Sequence, residues 1–152
     1  EENLRWETVV ASERISALRI VDASINRLRE GIRVVEEYFR FHRDDASRAE
    51  WIKRWRHRLT EACLGLNLSD LLASRESQLD VGTSITLTSE LSRDSLHDVL
   101  WANLKRAQES CRTLEEYGKL LSTHFAERIK QLRYDLYTFE KGLRNLIAGG
   151  DR

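Results

Sequence analysis

The chain has 152 residues, enough for one domain with a real core. Its 25 basic and 25 acidic residues cancel, which argues against a general nucleic-acid or membrane surface, since both want a basic excess. No apolar run reaches transmembrane length, no signal-peptide pattern is present, and Cys63 and Cys111 make no disulfide framework, so the compartment these features imply is cytoplasmic.

Residues 1–17 read as an N-terminal extension of mixed, partly helical character. A long helix is expected from near Asp22, a good N-cap residue, to about His42. Its apolar residues Val21, Ile25, Leu28, Ile32, Val35 and Phe39 keep the i, i+3/i+4, i+7 spacing. Asp44, Asp45 or Ser47 caps a second helix, and Ser47 with Glu50 has capping-box spacing. That helix carries Trp51, Ile52, Trp55, Leu59 and Ala62. A short helix fits residues 69–74. Residues 76–84 break the periodicity and read as a loop, and residues 85–88 as a few extended residues that make no sheet alone. A third helix runs from about Asp94 to Leu121 and a fourth from about Thr123 to Ala148, closed by Gly149 and Gly150. The lack of methionine, even at position 1, reads as a fragment or processed domain of something longer.

The sequence also repeats itself. Residues 23–40 and 102–119 match at Ala23/Ala102, Arg27/Arg106, Glu30/Glu109, Arg33/Arg112, Glu36/Glu115, Glu37/Glu116 and Tyr38/Tyr117. Ala49, Glu50, Ile52, Lys53, Arg56 and Leu59 then align with Ala126, Glu127, Ile129, Lys130, Arg133 and Leu136. Self-similarity at a long period predicts a duplicated supersecondary unit. The expected fold is all-α: a helical bundle of two duplicated helical hairpins about a pseudo-two-fold axis. A single domain spans 18–148, with halves at about 20–66 and 92–148, a central irregular loop at about 67–91 and a tail at 149–152.

At about 100° per residue, Ala23, Val34, Tyr38 and Phe41 form a second apolar stripe that includes Arg27 and is edged by Glu30 and Glu37. The later copy places Arg106, Glu109 and Glu116 likewise. Two stripes predict burial on two sides, with these charges near packing surfaces. Arg27/Glu30 and Arg33/Glu37 also have the spacing of ordinary helix-surface salt bridges. Restating the charged set twice points instead to specificity or a ligand, because charges beside an apolar seam cost desolvation unless paired.

Phosphate loops, dinucleotide fingerprints and zinc motifs are missing, and Glu36-Glu37 and Glu115-Glu116 lack the Glu-x-x-His partners of a carboxylate-bridged metal bundle. His57 reads as packed or half exposed. The central loop is the best site candidate. Asp80-Val81-Gly82-Thr83 offers a carboxylate for Mg²⁺ and a nest of N–H groups and a hydroxyl for phosphate, and bare stretches of this kind are also simply turns. Asn103, Lys105, Arg106 and Arg112 follow on the third helix.

Several of these residues together resemble one family. They are Asp22-Ala23, Asn26-Arg27, Arg29-Glu30-Gly31 and Arg33-Val34-Val35-Glu36, then Arg75…Asp80-Val81-Gly82-Thr83-Ser84-Ile85…Glu90. Ala102-Asn103-Leu104-Lys105-Arg106, Gln108-Glu109, Arg112, Leu114-Glu115-Glu116-Tyr117 and Leu132-Arg133-Tyr134 follow in order, over about residues 18–145. The chain is similar to the all-helical hydroxymethylpyrimidine-phosphate kinases of bacterial thiamine biosynthesis, commonly fused ahead of thiamine-phosphate synthase; Glu76 departs from an Asp in that pattern. The resemblance implies ATP and Mg²⁺ as cofactors and the pyrimidine phosphate as substrate, with a synthase domain, fused or separate, as partner.

Phosphate-to-phosphate transfer needs a cation-rich site. Arg27, Lys105 and Arg106 with Asp80 are the expected catalytic groups, and Asp80 the metal ligand. Arg33, Arg56, Asn103, Arg112, Arg133, Gly82 and Thr83 are expected to hold phosphate. Glu30, Glu37, Glu109 and Glu116 are expected to orient arginines or bind the aminopyrimidine, and Tyr38 or Tyr117 to stack on a ring or serve the core. A homodimer building sites from both copies is one alternative arrangement. Rival functions are a nucleotide-independent helical isomerase or lyase and a non-enzymatic partner module of a synthase.

Overall fold

The first helix sets the frame. In the computed structural model, which describes the backbone of residues 2–148 and the side chains of 10–145 except Ser89, α1 spans Glu2–Glu37 and continues into a π-helical turn, Tyr38–His42. Next come α2 (Ala46–Cys63), α3 (Leu68–Ser74), a 3₁₀ turn (Thr88–Glu90), α4 (Leu96–Gly118) and α5 (Thr123–Ala148). Among the described residues there is no strand, and no helix is long and apolar enough to cross a membrane. The all-helical expectation holds. The helix-closing role of Gly149-Gly150 and the 149–152 tail lie outside the described residues.

Two boundaries differ from the sequence reading. The first helix does not begin at Asp22. That residue is buried inside α1, and its carboxylate accepts two hydrogen bonds from Arg75, both at 2.8 Å. The N-terminal extension is a continuation of the same helix, with residues 10–16 all exposed. Residues 85–87 have no regular structure, and the 3₁₀ turn follows them.

The caps follow local chemistry. Asp44 adopts a left-handed φ of 49°, a conformation Asp tolerates, and ends the π turn. Asp45, not Ser47, caps α2 by accepting the Arg48 N–H at 3.0 Å. Asn67 caps α3 and Ser95 caps α4 in the same way.

The core lies between α1, α2, α4 and α5. Val21, Leu28, Ile32, Val35 and Phe39 from α1 meet Leu100, Leu104, Cys111 and Leu114 from α4, and Ile129, Leu132 and Leu136 from α5 close it. α1 and α4 run antiparallel and approach closely at Gly31. A side-chain carbon there would stand 3.4 Å from the Asn103 carbonyl oxygen and 3.9 Å from Cδ of Arg106. α2 lies antiparallel on α5: Trp51 stacks on Phe139 at 4.6 Å, and Trp55 Nε1 donates to the Leu132 carbonyl at 3.0 Å.

Candidate functional site

The repeated charges sort into an inner and an outer set. Glu36 and Glu115 are the buried pair. Arg56 of α2 grips Glu36 with both Nε (2.6 Å) and Nη2 (3.1 Å). Arg133 of α5 grips Glu115 in the same bidentate fashion, through Nε and through Nη2 at 3.0 Å. On the outside, Arg33 reaches Glu36 (3.6 Å) and Glu37 (3.4 Å), and Arg112 reaches Glu115 (3.8 Å) and Glu116 (3.0 Å). The same ion-pair arrangement is thus built in both halves. Glu115's hydrogen bonds raise Arg133 above the usual arginine value, so the guanidinium stays charged. Beside it, burial first and then the Glu115 charge push the Cys111 thiol far up, and burial raises Cys63, so neither is a thiolate nucleophile at neutral pH.

The burial predicted for the second stripe is only partial: Ala23, Val34 and Tyr38 are half-buried, and Tyr38 packs against the core. Arg27, Glu30, Arg106 and Glu109 are exposed, and so is Phe41. Period alone shows which residues share a face; it does not show what covers that face. His57 is likewise exposed.

The central loop is anchored to α1 by the Asp22–Arg75 pair and by Arg19 Nη2 donating to the Glu76 carbonyl at 3.0 Å. This carries Asp80 to the α1 face. There Asp80, Leu79 and Val81 line a cleft of about 400 Å³ with Ser16, Arg19, Ile20, Ala23 and Arg27. Within the loop, Asp80 Oδ1 accepts the Gly82 N–H at 2.8 Å, and the Asp80 carbonyl accepts the Thr83 hydroxyl at 2.8 Å. The nest expected to hold phosphate is therefore closed on its own carboxylate as an Asx turn.

The other predicted residues distribute as follows. Arg106 lays its stem over Gly31, on the side of α4 that meets α1. Lys105 is exposed on α4. Asn103 is buried, its amide donating to the Val99 carbonyl at 2.8 Å. Glu109, Arg112, Glu116 and Tyr117 line a separate open cleft on α4 of about 650 Å³. There Lys119's hydrogen bond and charge, followed by Arg112's charge, hold the Glu116 carboxyl below the usual range. The structure brings Arg27 and Asp80 to one cleft, while Arg56 and Arg133 are committed to buried carboxylates. Sequence reasoning missed Arg19, Asp22 and Arg75 as the loop's anchors. It also missed Glu36–Arg56 and Glu115–Arg133 as pairs, although all four positions were in the repeat.

Comparison with known proteins places this geometry. The ThiD2 family model matches residues 19–142. The chain is 41% identical over 133 residues to the thiamine-phosphate synthase of Thermosynechococcus vestitus, covering 88% of this chain and 37% of that protein. It is 41% identical over 138 residues to the synthase of Rhodopirellula baltica, covering 91% and 37%. It is 43% identical over 125 residues to that of a Synechocystis species, covering 82% and 35%. The chain spans little more than a third of the length of these curated relatives. No solved structure matches it. With the family model covering most of the chain, the protein belongs to the ThiD2 family.

Proposed function

We propose that this domain transfers the γ-phosphoryl group of ATP to 4-amino-2-methyl-5-hydroxymethylpyrimidine phosphate in thiamine biosynthesis, supplying the diphosphate to a thiamine-phosphate synthase domain, fused or separate. The observation that supports it best is the anchored loop that sets Asp80 beside Arg27 and Arg19 over one cleft. The acceptor's phosphate oxygen attacks the γ-phosphorus, the bond to the β–γ bridging oxygen breaks, and ADP leaves. An ionised phosphate needs no general base, so catalysis rests on positioning and charge. Arg27 and Arg19 stand where they would hold phosphate oxygens, and Arg106 lies across the α1–α4 contact from them. Among the described residues no three His, Cys, Asp or Glu side chains cluster for a metal. The single carboxylate of the cleft, Asp80, would be the protein ligand of Mg²⁺, which is commonly held by one or two carboxylates plus substrate phosphates. When bound, Mg²⁺ offsets charge on the transferring phosphates.

The test is turnover by the purified chain with Mg-ATP and the pyrimidine phosphate, following ADP and diphosphate. Product that disappears in Asp80→Asn at an unchanged unfolding midpoint supports the reading. A folded chain that makes no product, and is stabilised by neither substrate, refutes it. A second reading is a non-enzymatic module of a synthase, favoured by relatives that carry the synthase name over chains more than twice as long. It predicts no turnover and a measurable effect of the domain on synthase activity or stability.

A further inference from the structure

We infer that a second cleft, at the π-helical end of α1, binds a planar nitrogen heterocycle through its exocyclic amino group. This rests on the kinase reading for the ring's identity, because aminopyrimidine and adenine both present that N=C–NH₂ edge. The cleft measures about 370 Å³ and lies between Val34, Tyr38 and Phe41 on α1 and Leu96 and Val99 on α4. Its lining is mostly apolar with one carboxylate, Glu37, and one imidazole, His42, the composition of a small-ligand site with few polar readers.

Three observations converge on it. The first is the π turn. Arg43 N–H donates to Tyr38 O at 3.2 Å and Asp45 N–H to Phe39 O at 2.9 Å, so the helix widens where Tyr38, Phe41 and His42 line the cleft. Such turns are rare and occur often at functional sites. The equivalent stretch of α4 ends instead in tight bonds from Leu121 and Ser122 N–H to Gly118 O at 2.9 and 2.8 Å, so the repeated packing does not require a π turn. The second is the run of rings along this end of the bundle. Tyr38 stands 5.2 Å from His42 and 6.3 Å from His97, which stands 6.4 Å from Trp101. The third is exposure: Phe41 shows 65% of its surface and Leu96 54% at an apolar mouth. A planar ring against Tyr38 and Phe41 would cover that surface, and its amino N–H would donate to the Glu37 carboxylate, whose Oε1 is steadied by Arg33 at 3.4 Å.

Placement supports the assignment. Val34 and Arg27 are seven residues apart on one face of α1, so the cleft lies roughly 10 Å along the axis from the phosphate cleft. A ring seated here would point its phosphate-bearing arm toward Arg27, past Arg106 at Gly31.

The experiment is calorimetric titration of the full chain with two unphosphorylated probes, 4-amino-5-hydroxymethyl-2-methylpyrimidine and adenosine. Whichever binds identifies the ring. Phe41→Ala and Glu37→Gln should each weaken that probe by about tenfold. Leu120→Ala, at the equivalent and equally exposed position of the other half, should leave it unchanged. Unaltered affinity in both cleft variants, or no binding of either probe to the folded wild type, overturns the inference. Turnover separates it from the kinase reading. Wild-type turnover with unaffected cleft variants sinks only the cleft. A cleft-dependent titration without turnover sinks only the kinase.

Discussion

Removing Arg133 should cost far more stability than removing Arg56, although the two occupy equivalent places in the repeat. Each is the interior partner of a buried carboxylate, and deleting one member of such a pair leaves an uncompensated charge, at about 3–5 kcal/mol. The sites differ in water access. The Glu115 and Arg133 side chains are 4% and 12% exposed, against 6% and 27% for Glu36 and Arg56. The outer arginines do not separate the two sites: Arg112 stands 3.8 Å from Glu115 and Arg33 3.6 Å from Glu36, both well exposed. Arg133→Ala is therefore expected near the upper end of that range, and Arg56→Ala at about 1–3 kcal/mol. Urea denaturation at neutral pH, fitted with a common slope, measures both. The pair Glu115→Gln/Arg133→Met should recover much of the loss, since an uncharged substitute carries no desolvation debt. Arg133→Ala within about 0.5 kcal/mol of wild type, or a double variant no better than the single one, would refute the reasoning.

The two helical glycines facing neighbours should respond oppositely to alanine. At Gly31 the new carbon meets nothing closer than 3.4 Å, so Gly31→Ala should be neutral to about 1 kcal/mol stabilising, while at Gly118 it falls 2.8 Å from the buried Phe125 ring and should cost about 1–3 kcal/mol; thermal melts of both variants decide it. Burial works to raise the Asp45 carboxyl, but hydrogen bonds from the Arg48 N–H and guanidinium, with the Arg48 and Arg43 charges, hold it below its usual 3.8. Its cap is therefore fully present above that value and lost as pH falls through the lower folded value. Asp45→Ala should cost about 1 kcal/mol at pH 7, and the gap from wild type should close as pH falls through the lowered Asp45 value in denaturant titrations across pH. Trp55→Phe removes the indole bond to the Leu132 carbonyl and part of a fully buried ring, and should cost about 1–3 kcal/mol by the same measurement. Arg75→Ala should lower turnover more than stability, because its guanidinium is half exposed yet anchors the Asp80 loop to α1; equal loss of both, or of neither, contradicts the anchoring role.

Where burial and period reinforced each other, the sequence was legible. α5 begins and ends where its pattern predicts, Thr123 to Ala148, and α2 starts at Asp45, one of the caps expected for it. The first helix shows the limit. Asp22 has real N-cap chemistry, but its carboxylate is taken by Arg75, 53 residues away, a tertiary contact no local window contains. Residues 10–16 are exposed, so no apolar stripe marked them as helix. The π turn has no sequence signature, and Phe41 within it is exposed although its spacing put it in the second apolar stripe. Of the candidate site, Asp80 and Arg27 were reachable because loop chemistry and repeat both flagged them. Arg19 was hidden in what read as an extension.

Burial divides the repeated charges into those explained by packing and those that are not. Glu36 with Arg56, and Glu115 with Arg133, tie α1 to α2 and α4 to α5; Arg33 and Arg112 bridge outward to Glu37 and Glu116. An apolar pair would hold those helices about as well, so these ion pairs are better understood as fixing how each helix is rotated on its partner. That accounts for their presence in both halves without a ligand. It does not account for Arg27 and Arg106, which are repeated, exposed and engaged in none of these pairs. They lie where α1 and α4 meet, one beside Asp80 and the other over Gly31. If the proposed phosphoryl transfer is right, these two exposed arginines, with the Asp80 loop toward one end of α1 and the π turn at the other, are the charges left over from packing that would serve it.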